Sequence, residues 1–319
     1  SGSRLSLFRQ YITETKGCLP YTKHRYNLQI TNKKWISKDT FISDSIFSDP
    51  DPESSSLNNN SPFQDQLKYY IPPGLHFSVY THYKVGKSHY AQRYTPLSYT
   101  TNNTVRALYK IYLNNEGVPH GKASAHIQKQ SHDDTTDPIQ GITGNGSQSF
   151  NIRFPYGKII YLGEGGFLFK QEEGNLMQTS INEWSPGKFK KVCFICAGTG
   201  LVSVFRIIHE ASLHKEQVEF NLIMINSSYE GLYLIDEIEK MKLNIKLNTR
   251  YIVDNKEEYN AIDSQHKGLI RERFSSDTVK EFFPAPSDDV GVFTCSSKIM
   301  MNGFLNPMLK SLSYNTYNF

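Results

Sequence analysis

Cysteine is scarce in this chain. Only Cys18, Cys193, Cys196 and Cys295 occur among 319 residues, and three of them lie inside apolar, strand-like runs. That placement suits buried reduced thiols and argues against a disulfide framework. Long hydrophobic runs are also missing: the longest, 192–197 and 222–225, fall far short of the ~18 to 20 residues that a membrane helix requires. Neither sign of charge dominates. With 35 Lys and Arg against 31 Asp and Glu, the net charge of +4 is too weak and too scattered for a nucleic-acid-binding protein. Apolar residues reach only 38%, but 20 tyrosines and 19 phenylalanines supply amphipathic rings that can bury a large core.

The length favours two domains. From residue 25 to about 166 the chain reads as short strands, with segments 26–30, 40–46, 74–83, 107–113 and 159–161 rich in Tyr, Ile, Val and Thr and separated by turn residues. Their spacing predicts an antiparallel barrel or sandwich. Two polar stretches, 49–61 and 131–149, cannot build a core and read as insertions into that domain. Residues 1–25 read as an N-terminal arm whose opening Ser1-Gly2-Ser3 resembles a cloning remnant, so a native targeting segment would not be visible. The barrel domain is expected over 26–180, with the boundary inside 171–186.

After Gly187 strands alternate with helices. Strands are expected at 191–197, 218–225, 247–253 and 291–295, and helices from Leu201, at 232–241, at 277–283 and as one closing helix at 300–312. This alternation predicts a doubly wound parallel sheet over 188–319.

Four clusters carry chemistry. Arg93-Tyr94-Thr95-Pro96-Leu97-Ser98 offers a forked guanidinium suited to a pyrophosphate, a ring able to lie against a planar ligand, and hydroxyl donors. Gly121-Lys122-Ala123-Ser124 precedes a segment that could start a helix, where free backbone N–H groups attract phosphate; an ordinary cap by Ser124 explains it equally well. Gly198-Thr199-Gly200 lies between a strand and a helix, the position of a dinucleotide turn, without the full G-x-G-x-x-G spacing. Cys295 ends the last expected strand ahead of a helix. The Cys193 and Cys196 spacing matches C-x-x-C, but no second ligand pair accompanies it and no metal site is expected.

Taken in order, these clusters resemble the signature of the NADH-cytochrome b5 reductase family, within the ferredoxin reductase-type flavoproteins. Arg93, Tyr94, Thr95 and Ser98 match R-x-Y-T-x-x-S or close to it; Gly121 and Ser124 match G-x-x-S; Gly198, Thr199 and Gly200 match G-T-G-x-x-P; and Cys295 and Met300 match C-G-P-x-x-M. The resemblance extends from about residue 26 to the end. It implies an FAD-binding barrel followed by an NADH-binding α/β domain, and a reductase that takes hydride from NADH and passes single electrons to a cytochrome b5-type haem protein. By the same resemblance Tyr94 lies against the flavin with Thr95 near its reactive edge, and Arg93, Gly121, Lys122, Ala123 and Ser124 hold the pyrophosphate. Ser98 supports the turn behind the flavin, and Lys110, Ile111 and Tyr112 border the ribityl chain. Gly198, Thr199, Gly200 and Cys295 form the nicotinamide site, with Thr95 and Cys295 as its catalytic residues. Basic side chains such as Lys122, Arg106 and Lys87 would face an acidic haem partner. Attachment to a membrane would run through a segment outside this sequence, at the cytoplasmic face of the endoplasmic reticulum or mitochondrion.

The chain departs from the family pattern at Ser203, which stands where the family has proline, and at Ser296 and Ser297, which replace Gly-Pro. Both loops are therefore expected to be less preordered, which keeps open an alternative: a flavoprotein that holds FAD structurally and serves as an interaction or assembly subunit. NADH is preferred over NADPH because 226–230 carries no arginine for a 2′-phosphate.

Overall fold

The computed structural model describes residues 3–14, 26–49, 64–85, 88–112, 150–169, 187–260, 270–271 and 273–319. It divides into two compact units. The first comprises Ser1–Ile71 with Leu75–Tyr156, and the second Pro72–Gly74 with Gly157–Phe319. The polar insertions at 131–149 and most of 49–61 lie outside the described residues.

In the first unit, α1 (Arg4–Glu14) precedes β1 (Tyr26–Ser37), β2 (Thr40–Ser48), the single turn α2 (Gln64–Leu67), β3 (His76–Val85), β4 (Ser88–Tyr94), β5 (Pro96–Tyr99), β6 (Thr104–Lys110) and β7 (Phe150–Tyr156). The strands make one antiparallel sheet in the order β4-β3-β7-β1-β2-β6-β5. Its two outer strands, β4 and β5, are consecutive in the chain and joined through Thr95 alone. A sheet whose opposite edges are joined by one residue must roll until they meet, which is the closure that removes exposed edges. The barrel expectation is thus met, with the seam at Tyr94-Thr95-Pro96. The period-2 burial of β2, with Phe41, Ser43, Ser45 and Phe47 inward, builds an aromatic interior in which Phe41 stacks on Tyr109 at 5.1 Å and Phe47 meets Phe77 at 5.4 Å.

Part of the expected arm is structure. Leu5, Phe8 and Ile12 recur at helical spacing and are buried, and Arg4 lies over the rings of Tyr70 and Tyr99 at 5.1 and 4.5 Å while donating to the carbonyls of Gln66 and Asn102. These contacts fasten α1 to the barrel.

The second unit opens with the hairpin β8 (Ile159–Gly163) and β9 (Gly166–Phe169). It continues with β10 (Lys191–Ala197), a 3-10 turn (Gly198–Gly200), α3 (Leu201–Leu213), β11 (Glu219–Asn226), α4 (Ile235–Met241), β12 (Leu247–Val253), α5 (Lys256–Asn260), β13 (Ile270–Arg271) and α6 (Ser276–Phe282). Then come β14 (Val290–Cys295), α7 (Lys298–Met300), a π-turn (Met301–Leu305), α8 (Asn306–Ser311) and β15 (Thr316–Asn318). Six strands pair in parallel in the order β13-β12-β11-β10-β14-β15. The chain winds outward from β10 to β13, then crosses back to β14 on the other side of β10, so the topological switch lies between β10 and β14. Both faces are covered, as a parallel sheet requires. One packs Ile195, Ile223, Val279, Leu305 and Leu309. Against the other lie Phe167 of the hairpin and Phe189, with Phe167 stacked on Phe293 at 4.1 Å. The first domain was expected to run to about residue 180. In the structure the unit ends at Tyr156, because these ring contacts tie the hairpin to the second core.

The closing helix is broken. Pro307 has no N–H to give the carbonyl of Gly303, and the chain passes through a π-turn before restarting with Pro307 in the first turn of α8.

Candidate functional site

The barrel seam gathers one set of expected residues. Arg93 is exposed, whereas Tyr94 and Thr95 are buried. The Tyr94 ring packs against Tyr109 at 4.7 Å and Phe77 at 6.0 Å, so these faces are taken by protein rather than left for a planar ligand. Its hydroxyl is different. It is buried without a hydrogen-bond partner among the described residues, and such an orphan costs about 1–3 kcal/mol unless a ligand or water meets it. Burial, reinforced by Tyr109 and Tyr112, pushes its pKa well above the usual phenol value, so it stays a neutral O–H donor. Tyr109, the neighbour, has its hydroxyl engaged with Ser45 at 2.9 Å.

The remaining barrel residues are placed less uniformly. Ser98 is half-buried in β5, paired in register with Arg106, which itself pairs with Asp44 at 3.1 Å. Lys110 pairs with Asp39 at 3.4 Å, Ile111 is buried, and Tyr112 is exposed. Gly121, Lys122, Ala123 and Ser124 lie outside the described residues, as does Lys87.

The second set sits at the carboxyl edge of the parallel sheet, at the switch. Gly198 adopts φ +56°, and a methyl built on it would meet no atom within 4 Å. This position therefore requires glycine for its backbone while leaving open space above it. Gly200 is the reverse: a methyl there would fall 2.0 Å from the Cys295 carbonyl oxygen, so the turn after β10 is pressed onto the end of β14. Thr199, between them, is half-buried.

Cys295 and Cys196 are directly opposed on adjacent parallel strands and so share a face, whereas Cys193, three residues from Cys196, points to the other face and packs in the core there. Burial pushes the Cys295 thiol up to about 11, and a hydrogen bond with the Ser203 side chain acts in the opposite direction. Cys196 is fully buried and is pushed well above its ordinary value, first by burial and then by Cys295. Both are neutral thiols near pH 7.

The loops expected to be loosened carry hydrogen bonds in place of the missing proline and glycine. Ser297 caps α7, accepting from the Met300 N–H at 3.3 Å; Ser296 donates to the Met300 sulfur at 3.1 Å; and Ser203 is buried in the first turn of α3, bonded to Cys295. Sequence reasoning registered these serines as departures and missed their partners. The available signal was their position in the first turn after a strand end, where hydroxyls cap and bridge.

No family model matches the chain. Among curated proteins it is 26% identical over 125 residues to NADH-cytochrome b5 reductase 2 of Saccharomyces cerevisiae, covering 38% of this chain and 40% of that protein. It is 23% identical over 254 residues to human NADH-cytochrome b5 reductase 1, covering 77% and 73%. Among solved structures, the cytochrome b5 reductase domain of Ulva prolifera nitrate reductase superposes with a TM-score of 0.67 at 15% identity, covering 94% of this chain and 98% of that domain. The first relatives are thus matched over well under two thirds of their length, 40% for the yeast protein and 16% for spinach nitrate reductase. A barrel closed at an Arg-Tyr-Thr seam, a parallel sheet with a glycine turn at its switch, and this likeness of sequence and fold lead to one placement: the chain belongs to the NADH-cytochrome b5 reductase family of ferredoxin reductase-type flavoproteins.

Proposed function

We propose that the protein is an FAD-dependent oxidoreductase that oxidises NADH and delivers single electrons to a small haem protein of the cytochrome b5 type. The observation that carries this reading is the Tyr94 hydroxyl, a buried donor at the barrel seam with no described protein partner, beside the exposed guanidinium of Arg93. That donor set fits FAD: a neutral phenol for a polar atom of the cofactor and a forked cation for its pyrophosphate. Thr95, Ser98, Lys110, Ile111 and Tyr112 complete the binding set on this side, with Gly121, Lys122, Ala123 and Ser124 joining Arg93 at the pyrophosphate. When bound, FAD supplies a two-electron acceptor able to release electrons one at a time.

The protein's own work is to bind and orient. Gly198 lets a nucleotide approach the backbone at the switch point, where the open space above it leaves room. Thr199 and Gly200 shape the turn, and Cys295 presents a neutral thiol at the same edge. A thiol held neutral neither repels the electron-rich ring of reduced nicotinamide nor attacks it. For the haem partner, the exposed Arg106 and the lysines of the barrel are available to an acidic rim. A membrane-associated setting on the cytoplasmic face would come from sequence outside this chain. No helix among the described residues is long and apolar enough to cross a membrane.

Anaerobic titration with NADH tests the proposal. Yellow protein whose visible flavin bands bleach on NADH addition is the expected result. Yellow protein that does not bleach would favour the structural-flavin alternative, and colourless protein that cannot be reconstituted with FAD would overturn both.

A further inference from the structure

The Ser203 hydroxyl has a partner that the family pattern does not provide for. Ser203 lies in the first turn of α3, 8% exposed, and Cys295 is the last residue of β14. Gly200 seats the start of α3 on the Cys295 backbone so closely that no side chain fits between them. One residue less than a turn further on, Ser203 reaches the thiol and hydrogen-bonds it. From the geometry we infer that Ser203 is the positioning residue for Cys295: its hydroxyl fixes the direction of the thiol at the carboxyl edge of the sheet, replacing with a directed hydrogen bond the rigidity that proline supplies at this position elsewhere in the family.

The inference rests on the proposed nicotinamide site for its functional meaning and on local contacts for its physical content. The groups facing the thiol are few. From β10 comes Cys196, itself neutral and buried; from α3 comes Ser203; and on its own chain Ser296 turns its hydroxyl to the Met300 sulfur while Ser297 caps α7. Because a hydroxyl donating to sulfur favours the thiolate, it offsets part of the effect of burial. Because it also removes rotational freedom at the sulfur, the thiol presents one face to whatever binds above Gly198.

The test measures the thiol directly and then the reaction. Full-length, FAD-loaded protein is alkylated with iodoacetamide between about pH 8 and pH 10, where the rate tracks the thiolate fraction, and modification of Cys295 is followed by peptide mass spectrometry so that the other cysteines do not interfere. Ser203→Ala is expected to shift the Cys295 profile upward by about one pH unit, which is about tenfold slower alkylation at a fixed pH. Ser203→Thr, which keeps the hydroxyl, is expected to stay near wild type and guards against a variant that simply fails to fold. In rapid anaerobic mixing, Ser203→Ala should slow flavin bleaching by NADH about tenfold with KM for NADH changed less than about twofold, and Ser203→Thr should restore the rate. A Ser203→Ala profile identical to wild type, or a Thr variant that behaves like Ala, overturns the hydroxyl–thiol pairing. A shifted alkylation profile with an unchanged bleaching rate overturns the positioning role. Failure of the wild-type protein to bleach would overturn the functional reading instead, and the alkylation profiles would still decide the pairing.

Discussion

Tyr94 of the barrel and Cys295 of the parallel sheet are both driven toward their neutral forms by burial, yet their polar atoms are left in opposite states. The Cys295 thiol is held by Ser203, and the turn before it is locked against its backbone by Gly200. The Tyr94 hydroxyl has no described partner. One region is satisfied from within and therefore preordered; the other is complete only when something outside the described chain supplies an acceptor. A tightly held prosthetic group suits the second kind of site, and a substrate that enters and leaves on each turnover suits the first, since a site that need not reorganise loses little on release.

The largest way to break this contrast is at Gly200. In Gly200→Ala the new methyl would sit 2.0 Å from a backbone oxygen, and neither the end of β14 nor the start of α3 can retreat without opening the sheet. A destabilisation of about 3 kcal/mol is expected, lowering the thermal midpoint by roughly 10 °C. A calorimetric scan showing an unchanged midpoint would mean that the locked edge is not locked.

Acid should separate the two units nearly as strongly. Burial of Glu210 in α3 would raise its pKa, but Arg206 at 2.7 Å, together with His214, outweighs it and holds the carboxyl at about 2 against an ordinary 4.5. A depressed carboxyl stabilises the fold above its unfolded value, and that contribution drains away as pH falls from about 4.5 toward 2. The difference is on the order of 3 kcal/mol. Asp39 in the barrel is also lowered, by hydrogen bonds from Thr40 and Ser37 and by Lys110 acting against burial, but it is only partly buried and solvent screening weakens it. Acidification followed by hydrogen exchange should open the α/β unit first. In Glu210→Gln the stability near pH 7 falls and the steep acid limb flattens; an unaltered limb would refute the assignment.

Tyr94→Phe sharpens the contrast because its sign depends on the ligand. Without FAD the variant discards an unsatisfied hydroxyl and should be as stable as wild type, or more stable by about 1 kcal/mol. With FAD it loses a donor, and affinity should fall about tenfold. Equilibrium unfolding and flavin fluorescence measure the two halves. Loss of stability without ligand would show that the hydroxyl has a partner in the chain after all.

Much of the architecture was legible because it rests on local pattern. Alternation revealed the inward face of β2, and the spacing of Leu201, Val204, Phe205 and Ile208 revealed α3. The seam was not legible: a strand ending at Tyr94 and another starting at Pro96 look like one strand and a proline turn until the sheet order shows them as opposite edges. Helix α1 was hidden in plain sequence, since Leu5, Phe8 and Ile12 have helical spacing but no core visible from sequence to bury them. At the site, residue types pointed to the right edges of both sheets. The Ser203–Cys295 contact joins positions far apart in the chain, and only the fold brings them together.

Gly198 gives the smallest and finest division between stability and binding. It shares a turn with Gly200 but carries the opposite constraint, a left-handed φ of +56° with open space where a side chain would point. Alanine there pays only for the backbone conformation, about 1 kcal/mol, which is a fall of roughly 3 °C in thermal midpoint. If the open space is where the dinucleotide approaches, the same methyl intrudes on the substrate, and KM for NADH should rise about tenfold, more than the stability change alone would account for. Gly200→Ala would then disturb the frame and Gly198→Ala the occupant. Unchanged NADH affinity in Gly198→Ala would mean that this glycine serves the turn alone, and that the nucleotide lies elsewhere along the edge.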